Sequence, residues 1–164
     1  MTHGPEIAVT IRPAQRSDLD AINGIVDAAV TSWPLPEPVR HQTLTHSHYE
    51  PIDLDEAVLL LAVSAQRHIL GFAACCHIPG LDTPAGKNAL LLDGPYVHPR
   101  HAHHGIGSQL LDEAIALARR QGCDGLLAKA PALTDGFFRS HGMSALPDGN
   151  VADDGIRHYW RGFG

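Results

Sequence analysis

The sequence predicts a mixed α/β fold on three observations. Short apolar runs separated by turn residues read as strands, one long stretch has helical apolar spacing, and strand patterns stand on both sides of that helix. Residues 6–12 alternate enough to open with a strand. Ser17 then offers an oxygen to cap a helix with Ile22, Ile25, Val26 and Ala29 on one face. Between 31 and 55, Pro34, Pro36, Pro38 and Pro51 resist a single long helix, so an irregular or short-helical surface excursion is expected. Residues 57–64 and 68–77, separated by Ala65-Gln66-Arg67, predict a hairpin of buried strands. A loop over 79–88 follows. Residues 89–97 are apolar again but interrupted by Gly94-Pro95; proline cannot donate to a ladder and glycine admits a bulge, so this strand should bend. Over 108–121, Leu110, Leu111, Ala114, Ile115 and Ala118 share a face, with Asp112 and Glu113 early, Arg119 and Arg120 late, and Gly122 as the stop. A strand over 125–130, a short helix over 134–140 and a closing strand over 156–163 complete the order.

At 164 residues the chain has the length of one ordinary domain, and a single domain over 1–164 is expected. With 44% hydrophobic and 18% charged residues it has the balance of a globular protein. The formal net charge of -6 argues against nucleic acid or anionic lipid as a partner. No basic segment followed by a long apolar run opens the sequence, and residues 57–65 fall far short of the roughly 20 needed to span a membrane. A soluble, cytoplasmic protein is expected. Cys75, Cys76 and Cys123 lie in apolar sequence, which suits buried reduced thiols better than a disulfide framework. A thiol nucleophile at Cys123 would need a histidine partner that no spacing assigns.

The segment that carries chemistry is Val97-His98-Pro99-Arg100-His101-Ala102-His103-His104-Gly105-Ile106-Gly107-Ser108, between a strand and an amphipathic helix. The first N–H groups of a helix lack internal partners and sit at the positive end of its dipole, and glycines let backbone approach phosphate oxygens. An anion, most simply a pyrophosphate, is the expected ligand. A dinucleotide fingerprint would need a third glycine where Leu110 stands. Gly80 to Gly86-Lys87 departs from a P-loop in spacing and in having Asn88 for Ser or Thr. A helix start with no ligand is the plain alternative.

The motif resembles that of the GNAT superfamily of acyl-CoA-dependent N-acetyltransferases. Their bulged strand, Val-x-Pro-like turn and Gln/Arg-x-x-Gly-x-Gly/Ala element are similar to Tyr96-Val97-His98-Pro99 followed by Ala102-His103-His104-Gly105-Ile106-Gly107. Their amino-terminal pattern is similar to Ile11-Arg12-Pro13-Ala14 with Ser17-Asp18-Leu19-Asp20-Ala21-Ile22. Phe137-Phe138-Arg139-Ser140-His141-Gly142-Met143 looks like their Phe-Tyr-x-x-x-Gly-Phe segment. Three motifs in order span residues 7–143.

The resemblance implies a twisted mixed sheet with splayed central strands flanked by helices. It implies acetyl-CoA as co-substrate, with pantetheine pairing near Tyr96 and Val97 and pyrophosphate over the amides of Ala102, His103, His104, Gly105, Ile106, Gly107 and Ser108. Phe138 would lie at the cofactor, where many members carry a tyrosine that protonates the departing thiolate; a phenyl ring cannot do so. Tyr96, His141 and Tyr159 are the substitutes weighed, beside solvent. Asp93, on the bulged strand, is the expected base for the amine, with Glu37, His46 and His48 as weaker choices. An N–H at Val97 or a neighbour would polarise the thioester oxygen. The expected reaction is direct acetyl transfer to a primary amine of a small molecule or peptide; a homodimer is allowed for. The other class weighed is a non-catalytic acyl-CoA sensor, encouraged by Ala102 and Phe138. The histidines at 98, 101, 103 and 104 invite a metal reading, but no second ligand cluster completes a site, so no metal is expected; partly protonated imidazoles beside a phosphate are preferred, with exposed histidines of no role as the plain alternative.

Overall fold

The structure is a computed structural model that describes residues 5–78, 83–131, 134–146 and 156–163. Its first strand, β1, is Thr10–Pro13, shorter than the expected 6–12. The earlier backbone is committed elsewhere. Ile7 N–H donates to the His104 carbonyl (2.9 Å), and the Ile7 carbonyl accepts from Gln109 Nε2 (2.8 Å). Those groups therefore have partners without joining a ladder. β1 pairs antiparallel with β2, Val58–Val63, from Thr10 opposite Val63 to Pro13 opposite Leu60.

Helix α1, Leu19–Ser32, buries Leu19, Ile22, Ile25, Val26, Ala29 and Val30, a face that includes all four apolar positions expected there. Its entry differs from expectation: Ser17 lies inside a 3-10 turn, Arg16–Asp18, and Asp18 gathers the hydrogen bonds. Asp18 Oδ2 accepts from Gln15 N–H (2.7 Å) and Arg12 Nη1 (2.9 Å), while Oδ1 accepts from Arg12 Nη2 (3.1 Å). A carboxylate accepts several charge-assisted bonds at once, which a serine hydroxyl cannot match.

The proline-rich stretch contains α2, Glu37–His46, and α3, Asp53–Glu56, neither of which buries a residue fully. Pro38 occupies the first turn of α2, where its missing N–H removes no helical bond. β2 and β3, Ile69–Ile78, form the expected hairpin. Its turn is closed by Arg67 N–H to the Ser64 carbonyl (2.9 Å), with Arg67 itself left-handed at φ 67. Of the loop predicted over 79–88, a 3-10 turn at Pro84–Gly86 is described, and Gly80 lies outside the described residues. Then come β4, Ala89–Val97, α4, Ile106–Arg120, β5, Gly125–Pro131, α5, Asp135–Ser140, β6, Ser144–Ala145, and β7, Ile156–Gly162. β6 had no signal in the sequence.

The described strands form one mixed sheet in the order β1-β2-β3-β4-β5-β7-β6, so a mixed α+β fold is what the chain adopts. β4 and β5 are parallel across the α4 connection, from Ala89 opposite Gly125 to Asp93 opposite Lys129. β7 is antiparallel to both β5 and β6. By its contacts the chain divides into two compact units, Met1–Ala74 with Pro95–Leu111, and Cys75–Gly94 with Asp112–Gly164.

In the first unit, the α1 face meets Leu59, Leu61, Val63, Phe72 and Ala74 in an apolar core. In the second, Asp124, just before β5, ties the start of β4 to the end of β7: it accepts from Asn88 N–H through Oδ2 (2.9 Å) and from Phe163 N–H through its carbonyl (2.8 Å). Gly125 lies beneath the Trp160 ring, where a Cβ would come within 2.5 Å of it, so only glycine fits there. No described helix is long and apolar enough to cross a membrane.

The Arg12 bond holds the Asp18 carboxyl below its ordinary value, against an opposing push from burial. Because the folded value is the lower one, the interaction is fully present above the unfolded pKa of about 3.9 and is lost as pH falls through the folded value. Asp18→Ala is expected to cost about 1.5–3 kcal/mol at pH 7. In urea unfolding, the difference between parent and variant should shrink between pH 5 and pH 3.

Candidate functional site

Where β3 meets β4, Gly71 has no room for a side chain. A Cβ there would lie 2.7 Å from the Tyr96 carbonyl oxygen and 3.4 Å from both Ile106 Cγ2 and Leu110 Cδ1. This close approach fixes Tyr96 at the end of β4. The half-buried Tyr96 ring stacks between Phe72 (centroids 5.0 Å, 16°) and Trp33 (5.9 Å, 22°), and Tyr49 meets Phe72 edge-on at 5.5 Å. Arg40 pins the Trp33 segment by donating to the Trp33 and Leu35 carbonyls (3.2 and 3.1 Å). Val97 follows, half-buried, and His98 N–H donates to the Leu70 carbonyl at 2.9 Å.

Beyond β4 the chain winds tightly before α4. Pro99–His101 is a 3-10 turn capped by His98, whose Nδ1 accepts from Arg100 N–H (3.2 Å). The Ala102 N–H, expected to face phosphate, donates to the Pro99 carbonyl in a long bond of 3.3 Å. His103 and Gly105 then both take left-handed backbone, at φ 65 and φ 80. A histidine in that region is uncommon and costs about 1–3 kcal/mol, strain characteristic of ligand-binding loops. Such reversals turn successive N–H groups toward one concave side, a shape that receives anions, and α4 adds its dipole from Ile106 onward. Ile106 is 1% exposed and anchors the turn, while Gly107 and Ser108 are half-buried in the first helical turn.

The segment 5–7 lies along this turn. Besides the Ile7 bonds, His104 Nδ1 is 2.8 Å from the Pro5 carbonyl oxygen. A carbonyl only accepts, so that nitrogen carries the proton and Nε2 is the basic one. A Cβ on Gly105 would meet Glu6 Cγ at 3.1 Å. Both its φ and this neighbour exclude a larger residue.

The His101 imidazole is held below its ordinary pKa by burial first, then by His98, His104, Arg100 and His68. These groups make a local basic cluster on an acidic chain. Among the described residues, no three His, Cys, Asp or Glu side chains converge as a metal set.

Of the weaker candidate bases, Glu37 and His46 are the first and last residues of α2 and His48 Nε2 lies 2.6 Å from Asp27 Oδ1, all in the first unit. The other expected residues lie in the second unit. Asp93 is half-buried in β4 opposite Lys129, and Gly94 follows it at φ 113, the bend expected of this strand. Phe138 is 1% exposed and stacks on Tyr159 (centroids 4.8 Å, 19°). Tyr159 is itself fully buried, with its hydroxyl near the Asp135 carboxylate but outside hydrogen-bond geometry. Burial first, then Asp135, pushes that phenol up. Cys75 is pushed up to about 12 by burial and Cys76, and Cys123 is raised by burial and Asp124, so neither buried thiol has nucleophilic character. An open, polar cleft of 660 Å³ lined by Ser140, His141, Ser144, Trp160 and Arg161 lies at the far end of α5.

Sequence reasoning passed over Gly71, Gln109, Glu6 and the Trp33–Phe72 stack. Gly71 had a signal, being a glycine inside an apolar strand pattern, which marks close backbone approach. The others act across long sequence separations that local patterns do not encode.

The model of the Acetyltransferase (GNAT) family matches residues 22–143, and the chain belongs to that family. Solved structures agree in fold. PaiA N-acetyltransferase from Thermoplasma acidophilum, in complex with coenzyme A, superposes with a TM-score of 0.75 at 14% identity, over 96% of this chain and 100% of that one. A GCN5-related N-acetyltransferase from Rhodopseudomonas palustris gives 0.75 at 20% identity, over 99% of each chain. YncA from Salmonella typhimurium, solved with its cofactor acetyl-CoA, gives 0.62 at 20% identity over 94% of each. No sequence among curated proteins matches.

Gly71→Ala tests the packing at Tyr96. The added methyl should force β3 and β4 apart at a cost of about 1–3 kcal/mol, with a matching drop in melting midpoint and a changed near-ultraviolet aromatic circular dichroism spectrum.

Proposed function

We propose that this chain transfers an acetyl group from acetyl-CoA to a primary amine of a small molecule or peptide by direct attack. The observation that carries the reading is the pair of left-handed residues, His103 and Gly105, immediately before α4. The donor set fits a pyrophosphate: backbone N–H groups at a helix start, a glycine where a side chain would intrude, and basic side chains nearby. Gly105, Ile106, Gly107 and Ser108 would hold it through backbone, with His103 and His104 beside them. Ala102 brings no side-chain donor, so the backbone would carry the binding. The pantetheine amides would pair near Tyr96 and Val97.

Acetyl-CoA supplies an activated thioester. The Asp93 carboxylate accepts a proton from the amine as its nitrogen bonds to the carbonyl carbon, and a backbone N–H near Val97 steadies the negative charge on the carbonyl oxygen. The C–S bond then breaks, and the thiolate takes a proton. Phe138 cannot give one, and Tyr159 is enclosed with a raised pKa. Solvent is the donor favoured here, because a thiolate is a weak enough base to leave without an acid.

Two variants test this reading. Gly105→Val should weaken CoA binding about 10- to 100-fold in calorimetry, through loss of one or two charge-assisted hydrogen bonds; binding equal to the parent would refute the site. For Asp93→Asn, turnover followed by thiol release with an amine panel should fall about 100-fold or more, with the CoA Kd unchanged. Parent protein that binds CoA and stabilises by roughly 5–10 °C at 100 times Kd, yet releases no thiol with any amine, would instead favour a non-catalytic acyl-CoA sensor.

A further inference from the structure

The residues around His101 are unusual for this chain. Acidic side chains outnumber Lys and Arg by 18 to 12 overall, yet the groups that bear on His101 are all basic. They come from separate elements: His68 from the turn between β2 and β3, His98 from the end of β4, Arg100 from the 3-10 turn, and His104 from the glycine turn. The His98 and His101 rings are 6.0 Å apart, centroid to centroid. Glu6, from the 5–7 segment, also meets the glycine turn, its Cγ 3.1 Å from where a Cβ on Gly105 would lie. Basic groups gathered in this way repel one another where they are protonated, and that cost is relieved by an anion.

We propose that His68, His98, His101 and His104, with Arg100, form a proton-coupled phosphate site, in which a phosphate group of the cofactor binds together with a proton taken up by the imidazoles. The inference rests on the acetyl-CoA reading above. The hydrogen bonds define where protons reside. His98 Nδ1 accepts a backbone N–H, so its neutral ring carries the proton on Nε2 and presents that as a donor. His104 is the reverse, with Nδ1–H given to the Pro5 carbonyl and Nε2 able to take a proton without breaking that bond. His101, half-buried with its ring 6.0 Å from that of His98, is held below its ordinary pKa by burial first and then by these basic neighbours, whose charge a phosphate would offset. In the balance, one proton leaves solvent for an imidazole nitrogen, and no covalent bond of the cofactor changes.

The sign follows. Phosphate raises the imidazole pKa in the complex above that of the free protein, so binding takes up protons and tightens as pH falls from 8 toward 6.5. A phosphomonoester has its own second pKa of about 6, which sets the lower limit of the useful window. The phosphate comes either from the pyrophosphate or from the 3′-phosphate of CoA, and dephospho-CoA separates these sources.

The experiment is titration calorimetry with CoA and with dephospho-CoA, at pH 6.5, 7 and 8, in buffers of different ionisation enthalpy. The parent should take up about 0.3–0.8 proton on binding CoA at pH 7 and bind about 3- to 10-fold tighter at pH 6.5 than at pH 8. His101→Gln should lose the uptake and the pH dependence. His101→Lys, with its permanent charge, should hold the tighter affinity at pH 8, which a merely structural role would not produce. If the His101 variants fail to fold, His68→Gln on the exposed turn serves the same comparison and should reduce the uptake. Uptake lost with dephospho-CoA assigns the 3′-phosphate, and uptake retained assigns the pyrophosphate; either supports the coupled site. CoA binding with no buffer or pH dependence overturns the proposal and leaves the cofactor reading standing. No CoA binding at any pH overturns both.

Discussion

The first unit depends on one steric constraint, the absence of a side chain at Gly71. With only a hydrogen on that Cα, β3 lies against the Tyr96 carbonyl, and the same opening admits Ile106 and Leu110 from α4. The apolar core under α1, the aromatic stack and the start of the helix are thus joined at a single position. Phe72, the next residue, is fully buried and belongs to both the core and the stack, so displacement of the Tyr96 strand would be felt in each. Close-packed interiors transmit such shifts because they have no slack in which to absorb them.

The glycine turn needs its surroundings for a related reason. A left-handed histidine at 103 is costly alone and persists because neighbouring bonds over-determine it. The His104 carbonyl and ring both hold residues 5–7, and Gln109, one turn along α4, holds them from the other end. The turn is thus fixed by the protein's own groups, and a turn fixed in this way lowers the ordering cost of any ligand it takes. A glycine at 105 permits the turn, but long-range hydrogen bonds keep it.

Much of this was legible in the sequence. The hairpin, the bent strand at Gly94, the α4 face and the glycine turn follow from apolar periodicity and from residues with special backbone needs, which act locally. Failures occurred where distant groups competed with local ones. Residues 6–9 have strand character, yet His104 and Gln109, about a hundred positions away, claim the Ile7 backbone. Ser17 is a good cap by type, but Asp18 has Arg12 six residues earlier to fix it. β6 is two residues long and is defined by its partner strand, so no pattern in 144–145 announces it. At the site, residue types and order pointed to Gly105 and its neighbours. The aromatic stack and the effect of His68 on His101 exist only once the chain is folded.

The brevity of β6 bears on how the protein behaves at high concentration. Among the described residues it pairs with β7 at Tyr159 and Trp160 alone, so the outermost strand of the sheet offers only two residues for another chain to copy. Arg157 and Arg161 stand on either side of that covered pair, and a second molecule adding in register would bring like charges together. A two-residue strand that contributes almost nothing to the core therefore acts as a guard against edge-to-edge growth, and a longer, apolar strand grafted at this place would be expected to trade solubility for very little stability.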